Sequence, residues 1–152
     1  MAGNMRDHNV AFQAAEVGLR VCEGLLAATT AMPDISTDGN TSIWDYKAPD
    51  PVGTNNLPWW DEPTWDWAIT SPANSVIKLG DTVNGISVGS SLESEAGLST
   101  DPLCVIEKLP PRSNSLEAAQ SLDGEDIFLQ VTSRGVGGSA STLVVLQSIY
   151  KW

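Results

Sequence analysis

Very few side chains in this chain could do chemistry, and the first to consider is its one histidine. Because His8 is alone, no cluster of imidazoles is present to bind zinc. No serine is flanked as in a nucleophile elbow, and a catalytic triad would have to recruit His8 from the surface of a helix. The sequence therefore predicts neither an enzyme nor a protein that uses a metal or a cofactor.

Cys22 and Cys104 are the only cysteines, and residues 23–103 separate them. In an oxidising compartment they could form a disulfide, which would contribute a few kcal/mol through loop entropy. They could equally be two buried thiols that act as small apolar side chains. The parity of residue 104 on its strand decides between these alternatives, because a shift by one residue would turn Cys104 away from the helix.

Acidic and glycine-rich segments are candidates for ion binding. Two oxygen-rich groups lack the alternating ligands and the distal bidentate glutamate of a calcium loop, so solvated acidic loops are the favoured interpretation. Residues 135–138, Gly-Val-Gly-Gly, could hold a phosphate only if a helix followed, and the β-branched segment after them instead predicts a hairpin. The oxygen-rich groups are Asp34, Asp38, Asn40 and Asp123, Glu125, Asp126.

Four tryptophans lie close together among acidic residues. If exposed, they could stack on sugars or form the centre of a contact with a protein partner. If buried, they would fix a loop-rich region to the rest of the domain, which is the favoured interpretation because an indole buries a large apolar area. These four candidates for partner binding are Trp59, Trp60, Trp65 and Trp67.

A helix at the start of the chain and strands at its end must position these side chains. Apolar residues at steps of three and four predict one amphipathic helix over residues 5–30, which Pro33 ends. Apolar segments at 103–109, 127–134 and 142–152 predict three strands, the last two joined by a Gly-rich turn. The helix residues expected to pack on the sheet are Phe12, Ala15, Leu19, Cys22 and Leu26.

The predicted fold class is therefore α+β, with a long N-terminal α-helix packed on a C-terminal antiparallel β-meander of three or more strands. One domain is expected over 1–152: the helix over 1–30, a variable Trp-rich loop region over 31–101 and the sheet over 102–152. The net charge of −11, from 19 acidic and 8 basic residues, argues against binding to nucleic acid or to an anionic membrane surface.

Several segments resemble the PilX-type minor pilins of type IV pili. Residues 1–20, MAGNMRDHNVAFQAAEVGLR, are similar to the family's helix segment, and residues 134–151, RGVGGSASTLVVLQSIYK, are similar to its C-terminal hairpin. Residues 102–109, PLCVIEKL, resemble its first strand, with Cys104 in place of the usual aromatic residue, and 60–67 resemble a Trp-containing element. The resemblance covers both ends and about half of the chain, and it implies a pilin-like fold without implying a disulfide.

The resemblance also implies a function. The chain would be a structural minor pilin that takes part in priming and assembly of the type IV pilus, supporting twitching motility and adhesion. Its implied partners are other minor pilins, the major pilin and a pilus-tip adhesin, with no direct binding of nucleic acid by this domain.

A missing upstream helix would hold the chain in the inner membrane, with the head in the periplasm before assembly and in the extracellular pilus afterwards. The present chain would be the soluble part of that longer protein. Two alternatives are a minor pseudopilin of a type II secretion system and a glycan-binding surface module that uses the Trp cluster.

Overall fold

One helix followed by short and long strands forms the described part of the chain. The computed structural model describes residues 2–28, 35–36, 43–45, 76–80, 82–83, 86–92, 97–109 and 127–152. Within these ranges the helix is α1 (Ala2–Ala28). The strands are β1 (Ile35–Ser36), β2 (Ile43–Asp45), β3 (Ile77–Lys78), β4 (Thr82–Val83), β5 (Ile86–Ser87), β6 (Leu103–Lys108), β7 (Phe128–Val136) and β8 (Leu143–Lys151).

The main sheet has the order β1-β2-β6-β7-β8, and β3 also pairs with β6. The pairs β6–β7 and β7–β8 are antiparallel, which makes these three strands the predicted meander. Strand β2 runs parallel to β6, and β1 runs parallel to β2. The predicted α+β pilin-like fold, with the helix on a C-terminal antiparallel sheet, is confirmed.

Short strands also occur in the region 31–101, which the sequence predicts as a loop region. Strands β1 to β5 lie there, and each is only two or three residues long. Strands this short cannot display the alternating pattern from which a strand is predicted. Within the described residues, β4 and β5 form a separate two-stranded hairpin.

Alternate residues of the meander face α1. Cys104 on β6 pairs with Ser133 on β7, and Ile106 pairs with Val131, so these four side chains point to the same side of the sheet. The apolar core lies between this face and α1. Its buried members are Cys22, Leu25, Leu26, Ile77, Val88, Cys104, Ile106, Leu129 and Val131.

The closest approach of α1 to the sheet is made by very small residues. A Cβ atom added to Gly135 on β7 would lie 2.2 Å from the carbonyl oxygen of Ala11 and 2.2 Å from the backbone nitrogen of Ala15. At Gly18, an added Cβ would lie 2.4 Å from the Ser133 hydroxyl oxygen. The helix backbone therefore lies almost directly on β7, and Ala11 and Ala15 are fully buried there.

Phe12 does not pack on the sheet, and the prediction that it does is wrong. Its side chain is 46% exposed, whereas Ala15, Cys22 and Leu26 are buried. A helix turns by about 100° per residue, so Phe12 points well away from the direction of Ala11. The surface at Gly135 is too close to the helix for a ring, and Phe12 lies on the flank instead. Leu19 is partly buried and packs against the core.

Candidate functional site

Cys22 and Cys104 form a disulfide in the structure, with their Cα atoms 6.7 Å apart. Cys22 lies on the sheet-facing side of α1, and the pairing of Cys104 with Ser133 turns Cys104 toward the helix. Both residues are at most 2% exposed. The Cys104 side chain thus faces the helix, as a disulfide with Cys22 requires. The bond joins α1 covalently to β6.

The Gly-rich turn between β7 and β8 binds an anion, which is the carboxylate of Asp7 on α1. The backbone N–H groups of Gly138 and Ser139 donate hydrogen bonds to Asp7 Oδ1 at 2.7 and 3.3 Å. A Cβ added to Gly137 would lie 2.6 Å from the same oxygen and 2.8 Å from the backbone carbonyl oxygen of Asp7, so a side chain there would displace the helix backbone. The turn is a hairpin, as predicted, and its backbone donors are directed to a side chain of the same molecule.

The surroundings of Asp7 favour its ionised form. A hydrogen bond with the Thr142 side chain is the main cause that lowers the pKa of Asp7 below its ordinary value of 3.8. Desolvation opposes this effect, while the N–H groups of Ser139 and Gly138 and the charge of His8 add to it. Among the described contacts, this effect on Asp7 is the only role found for His8, whose side chain is exposed. The contact fixes the early part of α1 to the hairpin.

A second carboxylate, which is buried, lies just before β6. Asp101 is 2% exposed, accepts a hydrogen bond from the Ser91 hydroxyl at 2.7 Å and accepts another from the backbone N–H of Leu92 at 2.6 Å. The ammonium group of Lys78 lies 3.7 Å from Asp101 Oδ2. These contacts join β3, the segment 86–92 and the start of β6. No local sequence pattern indicates this cluster, because its members come from separate short segments of the chain.

The tryptophans Trp59, Trp60, Trp65 and Trp67 lie outside the described residues, as do both oxygen-rich groups. In the ranges that the structure describes, no group of three or more His, Cys, Asp or Glu side chains could hold a metal ion. The carboxylates of Asp7 and Asp101 are both bonded to hydroxyl and backbone N–H groups of the same molecule. The exposed surfaces of the described residues are therefore the better candidates for function.

One exposed apolar surface, formed by Met5 and Phe12, lies on α1, and Val17 is exposed on another side of the helix. The side chains of Met5, Phe12 and Val17 are 73%, 46% and 37% exposed. Met5 and Phe12 are seven residues apart, which is close to two full helical turns, so they point in nearly the same direction. A helix flank with this composition is typical of a contact with another apolar surface. Over the described residues, α1 is not apolar enough along its length to span a membrane.

A second exposed apolar surface lies on β8, the last strand of the sheet. Its residues alternate between partly buried and exposed, and Leu143, Val145 and Ile149 are 48%, 41% and 61% exposed. These three side chains lie on the face of the sheet opposite α1, and together they are called the outer row of β8. A depression of about 390 Å³ beside the outer row is lined by Gln130, Gln147, Ser148 and Ile149.

The outer row and the depression offer apolar contacts and side-chain amides. The Gln147 amide donates a hydrogen bond to the Thr132 hydroxyl oxygen at 3.2 Å. Exposed apolar side chains beside amides form a composition that is typical of surfaces that bind another macromolecule.

Comparison with known families identifies the chain. The profile described as type IV pilus assembly protein PilX, C-terminal part, matches residues 24–151, which are 128 of the 152 residues. Comparisons with curated proteins and with solved structures found no match. The matched family is one of structural pilus assembly proteins rather than enzymes; it implies contact with other pilus components and a location in the periplasm or the pilus. Because the match spans well over half of the chain, the chain belongs to the PilX family of type IV pilus assembly proteins.

Proposed function

We propose that the chain is a minor pilin that helps to prime the type IV pilus in a complex with other minor pilins and a tip adhesin. The match of residues 24–151 to the PilX family is the observation that carries the proposal. In this role the head faces the periplasm before assembly and lies in the pilus afterwards. There it contacts the major pilin and supports twitching motility and adhesion.

Two features of the head support this role. The disulfide between Cys22 and Cys104 suits a protein that works in an oxidising compartment such as the periplasm or the cell exterior. The exposed side chains of Met5 and Phe12 give α1 a flank on which a neighbouring subunit can pack. Contact through this flank would bury apolar surface. Each Å² buried contributes about 25 cal/mol to the binding free energy, before the costs of association are subtracted.

The Trp cluster is proposed as a further contact with a partner. Its indoles combine a large apolar surface with a hydrogen-bond donor, which is the composition of protein-binding hot spots. The residues concerned are Trp59, Trp60, Trp65 and Trp67.

The proposed function is tested by deletion and by capture. Deleting the gene is expected to reduce the number of surface pili, and the wild-type gene is expected to restore it. In pull-downs against the heads of other minor pilins and the tip adhesin, Phe12→Lys should weaken capture about tenfold, which corresponds to about 1.4 kcal/mol. Gln13→Lys is the matched control, because Gln13 is the neighbouring exposed residue of α1. Normal piliation without the gene would refute the proposed function.

A further inference from the structure

Strand β8 lies at the end of the sheet and is unusually regular for an edge strand. It is nine residues long and pairs with β7 in one continuous register from Leu143 to Lys151, without a bulge. Among the described residues, no strand pairs with its other side. Edge strands in soluble proteins are usually short, bulged, or interrupted by proline or charge.

The backbone of β8 exposes hydrogen-bonding groups on that other side. Gly137 N–H donates to the Thr142 carbonyl and Trp152 N–H donates to the Ile127 carbonyl, both at 2.9 Å, so residues 142 and 152 direct their backbone groups toward β7. In an antiparallel ladder this direction alternates from one residue to the next. The N–H and C=O groups of Leu143, Val145, Gln147 and Ile149 therefore point away from β7.

Three of these residues, Leu143, Val145 and Ile149, form the outer row. Strand β8 therefore presents apolar side chains and outward-pointing backbone groups along the same edge. The sequence of β8, LVVLQSIYK, contains no proline and no acidic residue, and its one charged residue is the last. Apart from Lys151 at its end, the strand carries none of the usual protections against pairing with another chain. This combination is typical of an edge that another strand covers.

We propose that β8 accepts an extended segment of a neighbouring protein of the pilus assembly, which adds to the sheet as a further strand. This inference rests on the proposed function, because that function places the chain beside the pilus proteins from which the partner comes. Backbone hydrogen bonds to residues such as Val145 hold the segment. Apolar side chains at its alternate positions pack on the outer row of β8, and this alternation defines the chemistry of the partner.

A second copy of this chain is a less suitable occupant. Each copy carries a net charge of −11, so two copies repel one another. A single added strand, about 30 Å long, also buries less than the roughly 1,200–2,000 Å² of a stable independent complex. The contact therefore requires a partner that further contacts in an assembly hold nearby, since these raise its effective concentration.

The test removes one outward N–H group from β8. Val145→Pro deletes this donor without removing a hydrogen bond to β7, and an edge strand tolerates proline at such a position. Val145→Thr keeps the N–H and a similar shape. A photo-crosslinking amino acid replaces Gln147 in the full chain, in cells that carry each variant at position 145. Crosslinked proteins are identified and the crosslinked peptides are mapped.

The expected result is a crosslink from position 147 to an extended segment of another pilus protein. Val145→Pro should reduce its yield at least tenfold, and Val145→Thr by less than about threefold. Equal yields for these two variants, or crosslinks only to a second copy, would overturn the proposal. If Val145→Pro fails to fold, Ile149→Lys replaces it, with Gln13→Lys as its control; equal yields for that pair would overturn the proposal as well.

Pilus counts separate this inference from the proposed function. If the gene is needed for piliation and the proline and threonine variants crosslink equally, strand addition fails and the proposed function stands. If cells that lack the gene make normal pili, the proposed function fails, whatever the crosslinks are.

Discussion

Replacing Gly135 by alanine should separate α1 from β7. The added Cβ would lie 2.2 Å from the Ala11 carbonyl oxygen, 2.2 Å from the Ala15 nitrogen and 2.9 Å from the Ala15 Cα atom. Non-bonded heavy atoms attract one another best at about 3.5 Å, so the helix would have to move by roughly 1.3 Å. All three atoms belong to the backbone, and a change of side-chain rotamer therefore cannot relieve the clash.

The cost of this movement can be estimated. Excess volume in a packed core typically costs about 1–3 kcal/mol, and the upper end applies here because α1 must move as a unit. For a domain of this size each kcal/mol lowers the melting temperature by roughly 2–4 °C. We therefore expect Gly135→Ala to lower the free energy of unfolding by about 3 kcal/mol and the melting temperature by about 6–12 °C.

Thermal unfolding of the oxidised protein, followed by circular dichroism, measures this effect. Gly24→Ala is the matched control, because an added Cβ on this residue of α1 meets no atom within 4 Å. Alanine is the better helix former, so the control should gain up to about 1 kcal/mol. A melting temperature of Gly135→Ala within about 2 °C of the wild type would refute the close contact between Gly135 and the helix.

Three further predictions concern the other contacts. Replacing Cys22 and Cys104 by alanine should lower the free energy of unfolding by about 4 kcal/mol, measured with denaturant, because the bond closes a loop with a sequence separation of 82. Asp101→Ala should cost about 2–3 kcal/mol in the same assay, since it leaves the Ser91 hydroxyl and a backbone N–H without their acceptor. The lowered pKa of Asp7 means that its stabilising effect is present above pH 3.8 and is lost as the pH falls through its folded-state pKa. Asp7→Asn should therefore melt below the wild type at neutral pH, and the difference should shrink in acid.

Each of these predictions has its own control. For the cysteines, reduction of the wild type should produce the same loss as the double substitution, and an unchanged stability would contradict the loop-entropy argument. Ser91→Ala should cost less than Asp101→Ala, and the reverse order would show that the carboxylate is not the centre of its cluster. A difference between Asp7→Asn and the wild type that is constant from about pH 7 to about pH 3 would contradict the role of the Asp7 charge.

The main elements of the fold could be predicted because local patterns determine them. The apolar repeat of α1 and the segments of the meander are visible in the sequence, and the observed ends of these elements differ from the predicted ones by only a few residues. Strands β1 and β2 could not be predicted, since both are too short for a pattern. Strand β2 forms by pairing with the distant β6, and β1 forms by pairing with β2.

The helix face and the polar contacts depend on distances that no local pattern contains. The pattern favours Phe12 as a core residue because it is large and apolar, whereas the close approach at Gly135 selects the smallest residues. Similarly, Gly137 and Gly138 predict a tight turn, but only the folded structure brings Asp7, 131 residues from Gly138 along the chain, to their N–H groups.

The disulfide also determines how the head would carry mechanical load. A pulling force that enters along α1 reaches Cys22, crosses the covalent bond to Cys104 and continues into β6. For a force applied between α1 and β6, this covalent path bypasses residues 23–103. Changes of sequence or length within those residues would leave the path intact.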